Sequence, residues 1–226
     1  MAIAKTAKKI AKWTIVGVAA SFVALLVGLY VFSGSIVGSA PSPFQLPPPA
    51  NSTGSASRAS PDGTWTAGSG SQAGFRVAES FLTQSGTIVG RTNAVTGSLV
   101  IAQDEISSGS FQVDLTKLTV AGKTNASFQK LLETDKYPTA TVSLSNHIAL
   151  TRIPSNGQSV SLKASGSLTI HGITRPVTFD FTASYGGSVV QGTGSATILA
   201  SDWAISPPFG IGNDEVIEFL VVLARS

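Results

Sequence analysis

Short runs of alternating apolar and polar residues, separated by turn residues, fill most of the chain after Trp65. The run "SFQVDLTKL" alternates Phe111 and Val113 with polar partners, and "TATVSLS" repeats the pattern with Val142 and Leu144. Alternation at period two indicates strands with one buried face, because successive strand side chains point to opposite sides. Glycine-containing turn signals recur between the runs, as is typical of antiparallel sandwiches and barrels. An all-β fold is therefore predicted for residues 65–226.

One segment of this region departs from the alternation. In "NASFQKLLETDKYP", Phe128, Leu131 and Leu132 fall at helical spacing after Asn125, a good N-cap residue. The proline of the segment prevents the helix from continuing. The pattern predicts a short helix over residues 126–133, which would cover one end of a barrel.

The N-terminal residues have the composition of a membrane anchor. Four lysines precede residue 13, whereas residues 13–37 carry no charge. A helix of about 20 apolar residues spans a hydrocarbon core of ~30 Å, and flanking lysines favour the cytoplasmic side. We therefore expect a cytoplasmic segment at 1–12, a single transmembrane helix at 13–37 and an extracytoplasmic domain anchored in the cell membrane. A cleaved signal peptide is the alternative, although its apolar region is usually only ~7–15 residues long.

The next stretch, residues 38–64, is rich in serine, proline, glycine and alanine and includes "APSPFQLPPPANSTGSAS". Such a composition buries too little apolar area to offset the entropy of ordering the chain. It is therefore predicted to be a disordered linker between the anchor and the folded domain.

Composition argues against several classes of site. The chain has no cysteine, which removes disulfides, thiolate metal sites and thiol nucleophiles. Of the 15 Lys and Arg, four lie before residue 13, which leaves 11 against 12 Asp and Glu in the remainder. No excess of positive charge remains for nucleic acid. With only two histidines, His147 and His171, the sequence predicts no metal, no cofactor and no catalytic residues.

The pattern of residues in "GSLTIHGITRPVTFDFTA" indicates whether His171 has a structural or a chemical role. Alternating apolar residues on both sides of the His-Gly pair predict two strands joined by a tight turn, with His171 at a strand end. The carboxylate pairs Asp104-Glu105 and Asp214-Glu215 are interpreted as solvated turn residues. An isomerase or hydrolase that uses His171 with a nearby carboxylate is the least favoured alternative.

Four stretches resemble the YceI-like family in order and spacing. They are "GFRV", "FQKLLETDKYPTATVSLS", "GSLTIHGITRPVTFDFTA" and "SATILASDWAI…GNDEVIEFLVVL", and the resemblance extends from Trp65 to Leu223. It implies a lipocalin-like antiparallel β-barrel of about eight strands that binds polyisoprenoid or other long apolar lipids.

A barrel of about eight strands encloses either packed side chains or one slim ligand. Small residues on the predicted inner face, such as Ala164, Gly166 and Ala196, would leave room for a chain. The partner expected is thus an apolar lipid such as an isoprenoid, carried without being transformed. The alternative is a filled barrel that serves as a non-catalytic surface interaction module. The candidate lumen residues are Phe75, Val77, Phe111, Val113, Phe128, Leu131, Leu132, Leu168, Ile170, Phe179 and Phe181.

Overall fold

A computed structural model of the chain describes residues 40–47, 60–81, 84–150, 158–186 and 188–226. The predicted cytoplasmic segment and transmembrane helix fall outside these ranges. Across the described residues, no helix is both long enough and apolar enough to cross a membrane.

The described part of the chain is built almost entirely of strands, as the alternation predicts. The strands are β1 (Gly63–Ala67), β2 (Gln72–Phe81), β3 (Gln84–Thr92), β4 (Val95–Ala102), β5 (Glu105–Asp114), β6 (Thr119–Val120), β7 (Lys123–Thr124), β8 (Thr139–Leu144), β9 (Ile148–Ala149), β10 (Ser159–Ile170), β11 (Ile173–Tyr185), β12 (Val189–Leu199) and β13 (Ile211–Arg225). One α-helix, α1 (Ala126–Leu131), and two 3-10 helices, Leu115–Lys117 and Ala200–Trp203, accompany them.

Hydrogen bonding closes the main strands into a barrel. β1 pairs with β4 and β2 with β3, so these four strands form one long interrupted hairpin. Pairing then continues from β4 through β5, β8, β10, β11 and β12 to β13, and β13 returns to β1 and β2. If each interrupted strand is counted once, the described residues form a closed antiparallel barrel of eight strands. The predicted fold class is confirmed.

The side chains along β10 show how the pattern produces an inside and an outside. Ala164 and Leu168 are buried, whereas Lys163 and Ser165 on the opposite parity are exposed. Two clusters of buried side chains occupy the interior. The first comprises Trp65, Leu99, Ile101, Ile106, Ile148, Ala164, Tyr185, Val190 and Leu223. The second comprises Leu115, Ala140, Leu168, Ile170, Ile198, Ala200, Trp203 and Ile205.

Helix α1 lies where the sequence predicts it but is shorter. Asn125 caps it, since its side-chain oxygen accepts hydrogen bonds from the backbone N–H groups of Ser127 and Phe128. The predicted extension to residue 133 is wrong. Leu132 is the C-cap, and Glu133 adopts a left-handed backbone with φ of 45°, which cannot continue a right-handed helix.

Part of the predicted linker packs against the barrel. Residues 40–47, here called the N-terminal strap, contact β2 and β3: Arg76 donates a hydrogen bond to the carbonyl oxygen of Pro41 at 2.6 Å. The guanidinium carbon of Arg91 lies 4.1 Å from the centre of the Phe44 ring. The linker is therefore not unstructured throughout, because these residues find cationic partners on the barrel that composition alone does not reveal.

Candidate functional site

An apolar cavity of about 210 Å³ lies inside the barrel. It is larger than the ~150 Å³ cavity that takes up one benzene molecule in a protein core. Its wall includes residues of both interior clusters, among them Leu99 and Ile106 of the first and Leu168 and Ile205 of the second. The interaction-module alternative requires a barrel that its own side chains fill. The cavity shows that this barrel is not completely filled.

The structure places most of the predicted lumen residues on the wall of this cavity. Those on the wall are Phe75, Phe111, Val113, Leu132, Leu168, Ile170, Phe179 and Phe181. Three others lie off the wall. Val77 is buried in β2, Phe128 packs its ring 5.4 Å from that of Phe75, and Leu131 packs against the second interior cluster. Phe128 and Leu131 thus contact residues of the wall but do not themselves line the cavity.

Small residues account for the open space. Ala164 lines the cavity, as do Ala183 and Gly192 on the neighbouring strands. Gly166 and Ala196 are buried as predicted, but neither lies on the cavity wall. A larger side chain at Ala164 would project into the cavity and reduce its volume.

The position of Phe75 on the wall depends on a glycine in the adjacent strand. A Cβ atom at Gly90 would lie 2.3 Å from Cε1 of the Phe75 ring, well inside van der Waals contact. Glycine at this position lets the ring lie flat across β3, where it meets both the cavity and Phe128.

Glu215 also lines the cavity, and the prediction that it is a solvated turn residue is wrong. It lies within β13 on the same parity as Ile217, Phe219 and Val221, which line the same wall. Burial raises the pKa of its carboxyl group to about 7. Within the described residues, no hydrogen bond or ion pair reaches this carboxyl group.

A second acidic residue of β13, Glu218, has its charge compensated on the outer side of the wall. Its side chain is 3% exposed and accepts hydrogen bonds from Arg91 at 2.9 and 3.2 Å, with Arg76 at 3.8 Å. The backbone of Arg91 lies opposite Gly74, and that of Glu218 opposite the same glycine from the other side. The contacts of Glu218 with Arg91 and Arg76 therefore lie on the side of the wall that faces the strap, although Glu218 also borders the cavity.

His171 occupies the first position of a two-residue turn between β10 and β11, as predicted. Both His171 and Gly172 have positive φ values, 53° and 73°, which is the backbone of a type I′ hairpin turn. His171 Nδ1 donates a hydrogen bond to the carbonyl oxygen of Trp203 at 3.1 Å. The His171 ring packs edge-on against the Tyr137 ring, with 4.7 Å between the ring centres. Its Nε2 lies 3.5 Å from Glu133 Oε1. These contacts fix the turn against the barrel end.

The remaining polar groups do not converge on a metal site. In the part of the chain that the structure describes, no three histidine or acidic side chains are grouped so as to hold a metal ion. His147 lies 3.3 Å from Glu105, and both side chains are exposed. The cavity and Glu215 are therefore the features of the described barrel with the clearest capacity to bind a ligand.

Comparison with known proteins agrees with the fold. Residues 65–223 match the model of the YceI-like domain. A polyisoprenoid binding domain from Saccharophagus degradans, implicated in plant cell wall breakdown, is 14% identical with a TM-score of 0.56, over 73% of this chain and 99% of that chain. BcnA of Burkholderia cenocepacia is 18% identical with a TM-score of 0.51, over 67% of this chain and 95% of that chain. No curated protein matched the sequence. Because the family model matches more than half of the chain, the protein belongs to the YceI-like domain family.

Proposed function

We propose that this protein is a membrane-tethered, extracytoplasmic carrier that holds a long apolar lipid, such as an isoprenoid, in its barrel. The observation that carries the proposal is the apolar cavity of about 210 Å³ inside the closed barrel. Each buried methylene group of a ligand contributes ~0.8 kcal/mol through the hydrophobic effect, so about ten buried methylene groups contribute about 8 kcal/mol, which favours a long chain over a short one. The related solved structure described as a polyisoprenoid binding domain supports the same ligand class.

The tether and the location are inferred from the N-terminal sequence. Residues 13–37 form an uncharged apolar run that follows a lysine-rich segment. Such a run favours a helix that anchors the barrel on the extracytoplasmic side. A barrel held at a membrane surface has direct access to lipids of low water solubility. The protein then binds and releases the lipid chemically unchanged.

A cavity-filling series tests this function. Ala164 is 4% exposed and lines the cavity, so Ala164→Leu and Ala164→Phe should reduce its volume stepwise. We expect the affinity of the full-length chain for farnesol to fall in the same order, by at least about tenfold for the phenylalanine variant. The neighbouring Ser165 is exposed on the outer face, so Ser165→Phe adds the same ring outside the barrel.

The readouts separate loss of binding from loss of folding. Farnesol binding is measured by displacement of an uncharged naphthylamine dye, and folding by circular dichroism. Undiminished binding in folded Ala164→Leu and Ala164→Phe variants would contradict a ligand site in this cavity. A loss of binding in Ser165→Phe equal to that in Ala164→Phe would also contradict it.

A further inference from the structure

Two inward-facing residues of the cavity wall carry polar groups: Glu215 has a carboxyl group, and Tyr185 has a hydroxyl group on a ring that packs edge-on against Trp65. On β13 the inward-facing residues have odd numbers, and Glu215 is one of them, together with Ile217 and Phe219. The remaining polar residues that border the cavity, Ser184, Gln191 and Glu218, lie on the opposite parity of their strands. Ser184 and Gln191 alternate with the inward-facing Tyr185 and Val190, and Glu218 is engaged by Arg91 outside the wall.

The strand-register partners of Glu215 on both sides are apolar. Its partner in the β2 register is Val77, and its partner in the β12 register is Ile198, both buried and apolar. The next acidic residue on the same parity of β2 is Glu79, whose pKa burial also raises. Because the Glu215 side chain is only partly exposed, its carboxyl group keeps fewer hydrogen bonds to water than a carboxyl group on the surface does. A ligand atom that hydrogen-bonds to it would replace one of the missing hydrogen bonds.

We propose that Glu215 is the polar contact for the bound lipid, where its carboxyl group hydrogen-bonds an uncharged hydroxyl or carbonyl oxygen at one end of an otherwise apolar chain. This inference rests on the proposed lipid-binding function and adds the chemical class of the ligand's polar end. A protonated carboxyl donates to a carbonyl oxygen, and an ionised carboxylate accepts from a hydroxyl group. With a pKa of about 7, Glu215 offers both forms near neutral pH.

The charge of the cavity excludes an anionic end group. No lysine, arginine or histidine of the described residues lines the cavity, so a phosphate or carboxylate group would meet no counter-charge there. It would also face the partial negative charge of Glu215. Arg76 and Arg91, on the adjacent strands β2 and β3, bind Glu218 and the N-terminal strap on the outer side. Amphiphiles with a neutral oxygen function are therefore the ligands that this wall selects.

The test compares ligands that share one carbon skeleton. Farnesol carries a hydroxyl group, farnesane is the corresponding saturated hydrocarbon, and farnesoic acid carries a carboxylate. The full-length chain should bind farnesol about tenfold more tightly than farnesane, the size expected of one hydrogen bond to a buried group, and farnesoic acid more weakly than farnesol. Affinities are measured by displacement of an uncharged naphthylamine dye.

Variants at Glu215 assign this preference to the carboxyl group. Glu215→Leu should bind farnesane at least as well as the unmodified protein does, while its preference for farnesol is lost and reverses, because the buried hydroxyl group then has no hydrogen-bond partner. Glu215→Gln should keep most of the preference, since an amide both donates and accepts, and it remains informative if the leucine variant does not fold. Asp214→Asn, at the exposed neighbouring position, should keep the full preference.

The outcomes separate this inference from the function on which it rests. If farnesol and farnesane both bind but with equal affinity, or if Glu215→Leu retains the tenfold preference, lipid binding stands and the role of Glu215 is wrong. If none of the three ligands displaces the dye from the unmodified protein, the lipid-binding function itself fails. A preference for farnesoic acid over farnesol would overturn the neutral end group.

Discussion

Glu215 makes the stability of the barrel depend on pH in an unusual direction. Its pKa is raised from an ordinary value of 4.5 to about 7 because the folded chain buries it in an apolar wall. The folded state therefore binds more protons than the unfolded state between these two values. The contribution of Glu215 to the free energy of unfolding is therefore fully present below about pH 4.5 and is lost as the pH rises through about 7.

Replacing Glu215 by glutamine should remove this dependence. Relative to the unmodified protein, Glu215→Gln should gain stability between about pH 5 and pH 8.5, by at most about 3 kcal/mol, since one pKa unit corresponds to ~1.4 kcal/mol. Urea unfolding of the full-length chain at both pH values measures the change. Asp214→Asn is the control and should show a much smaller change. A constant difference between Glu215→Gln and the unmodified protein at both pH values would show that burial does not perturb this group.

The turn residue His171 is required for backbone geometry and contacts. Its φ of 53° is readily adopted by asparagine, the preferred residue at this position of a type I′ turn. A β-branched residue adopts such a positive φ only with strain. His171→Val should therefore be less stable than His171→Asn by about 1–3 kcal/mol. Both variants lose the ring contacts to Trp203 and Tyr137, so their difference in unfolding free energy isolates the backbone term. Equal stability would mean that the turn relaxes out of this conformation.

The N-terminal strap and the strands β2, β3 and β13 depend on one buried charge cluster. Glu218 is 3% exposed and is balanced by Arg91, which also contacts the strap. Removing one partner of a buried pair leaves an uncompensated charge and costs several kcal/mol, whereas removing both charges costs less. The cluster therefore couples the attachment of the strap to the integrity of the wall.

The cluster gives a prediction with an internal comparison. Arg91→Ala should lower the free energy of unfolding by about 3 kcal/mol, and adding Glu218→Gln should restore part of that loss. The exposed pair Lys163–Asp180, at 2.6 Å with side chains 73% and 71% exposed, provides the control. Lys163→Ala should cost less than about 1 kcal/mol because water screens the pair. Similar losses for Arg91→Ala and Lys163→Ala in chemical denaturation would contradict a buried role for Glu218.

The regular elements could be predicted from the sequence because their causes are local. Alternation in the runs around Phe111 and Val142 gives strands, and the His-Gly pair at position 171 gives a hairpin turn. The predicted end of helix α1 was wrong because the spacing of the apolar residues does not indicate the left-handed backbone conformation of Glu133. Local causes thus predict the elements but not all of their ends.

Glu215 and the strap depend on relations between distant residues. In "EVIEFLVVL" both parities are apolar towards the end, so the inward face of β13 is hidden in the sequence. The run begins at Glu215, which shares the parity of Ile217 and Phe219, but the opposite parity also carries an acidic residue, Glu218, among apolar residues, so the pattern does not show which face points inward. The contact between Phe44 and Arg91 joins residues far apart in the chain and has no local signal.

The closed barrel brings these features together in one molecule. Eight strands around an apolar cavity leave space that the protein's own side chains do not occupy. Small residues such as Ala164 keep this space open, and Glu215 provides an inward-facing carboxyl group. A structure of this kind is suited to holding a lipid, which supports the proposed carrier function.

Native mass spectrometry of the full-length chain purified from its own host, combined with organic extraction, tests the central claim most directly. The account predicts a discrete bound mass that extracts as a long-chain apolar molecule with a neutral oxygen function, and loss of that mass in Ala164→Phe. A ligand-free mass from the host, together with no uptake of added isoprenoid alcohol, would contradict the carrier function and favour a barrel that serves as an interaction module.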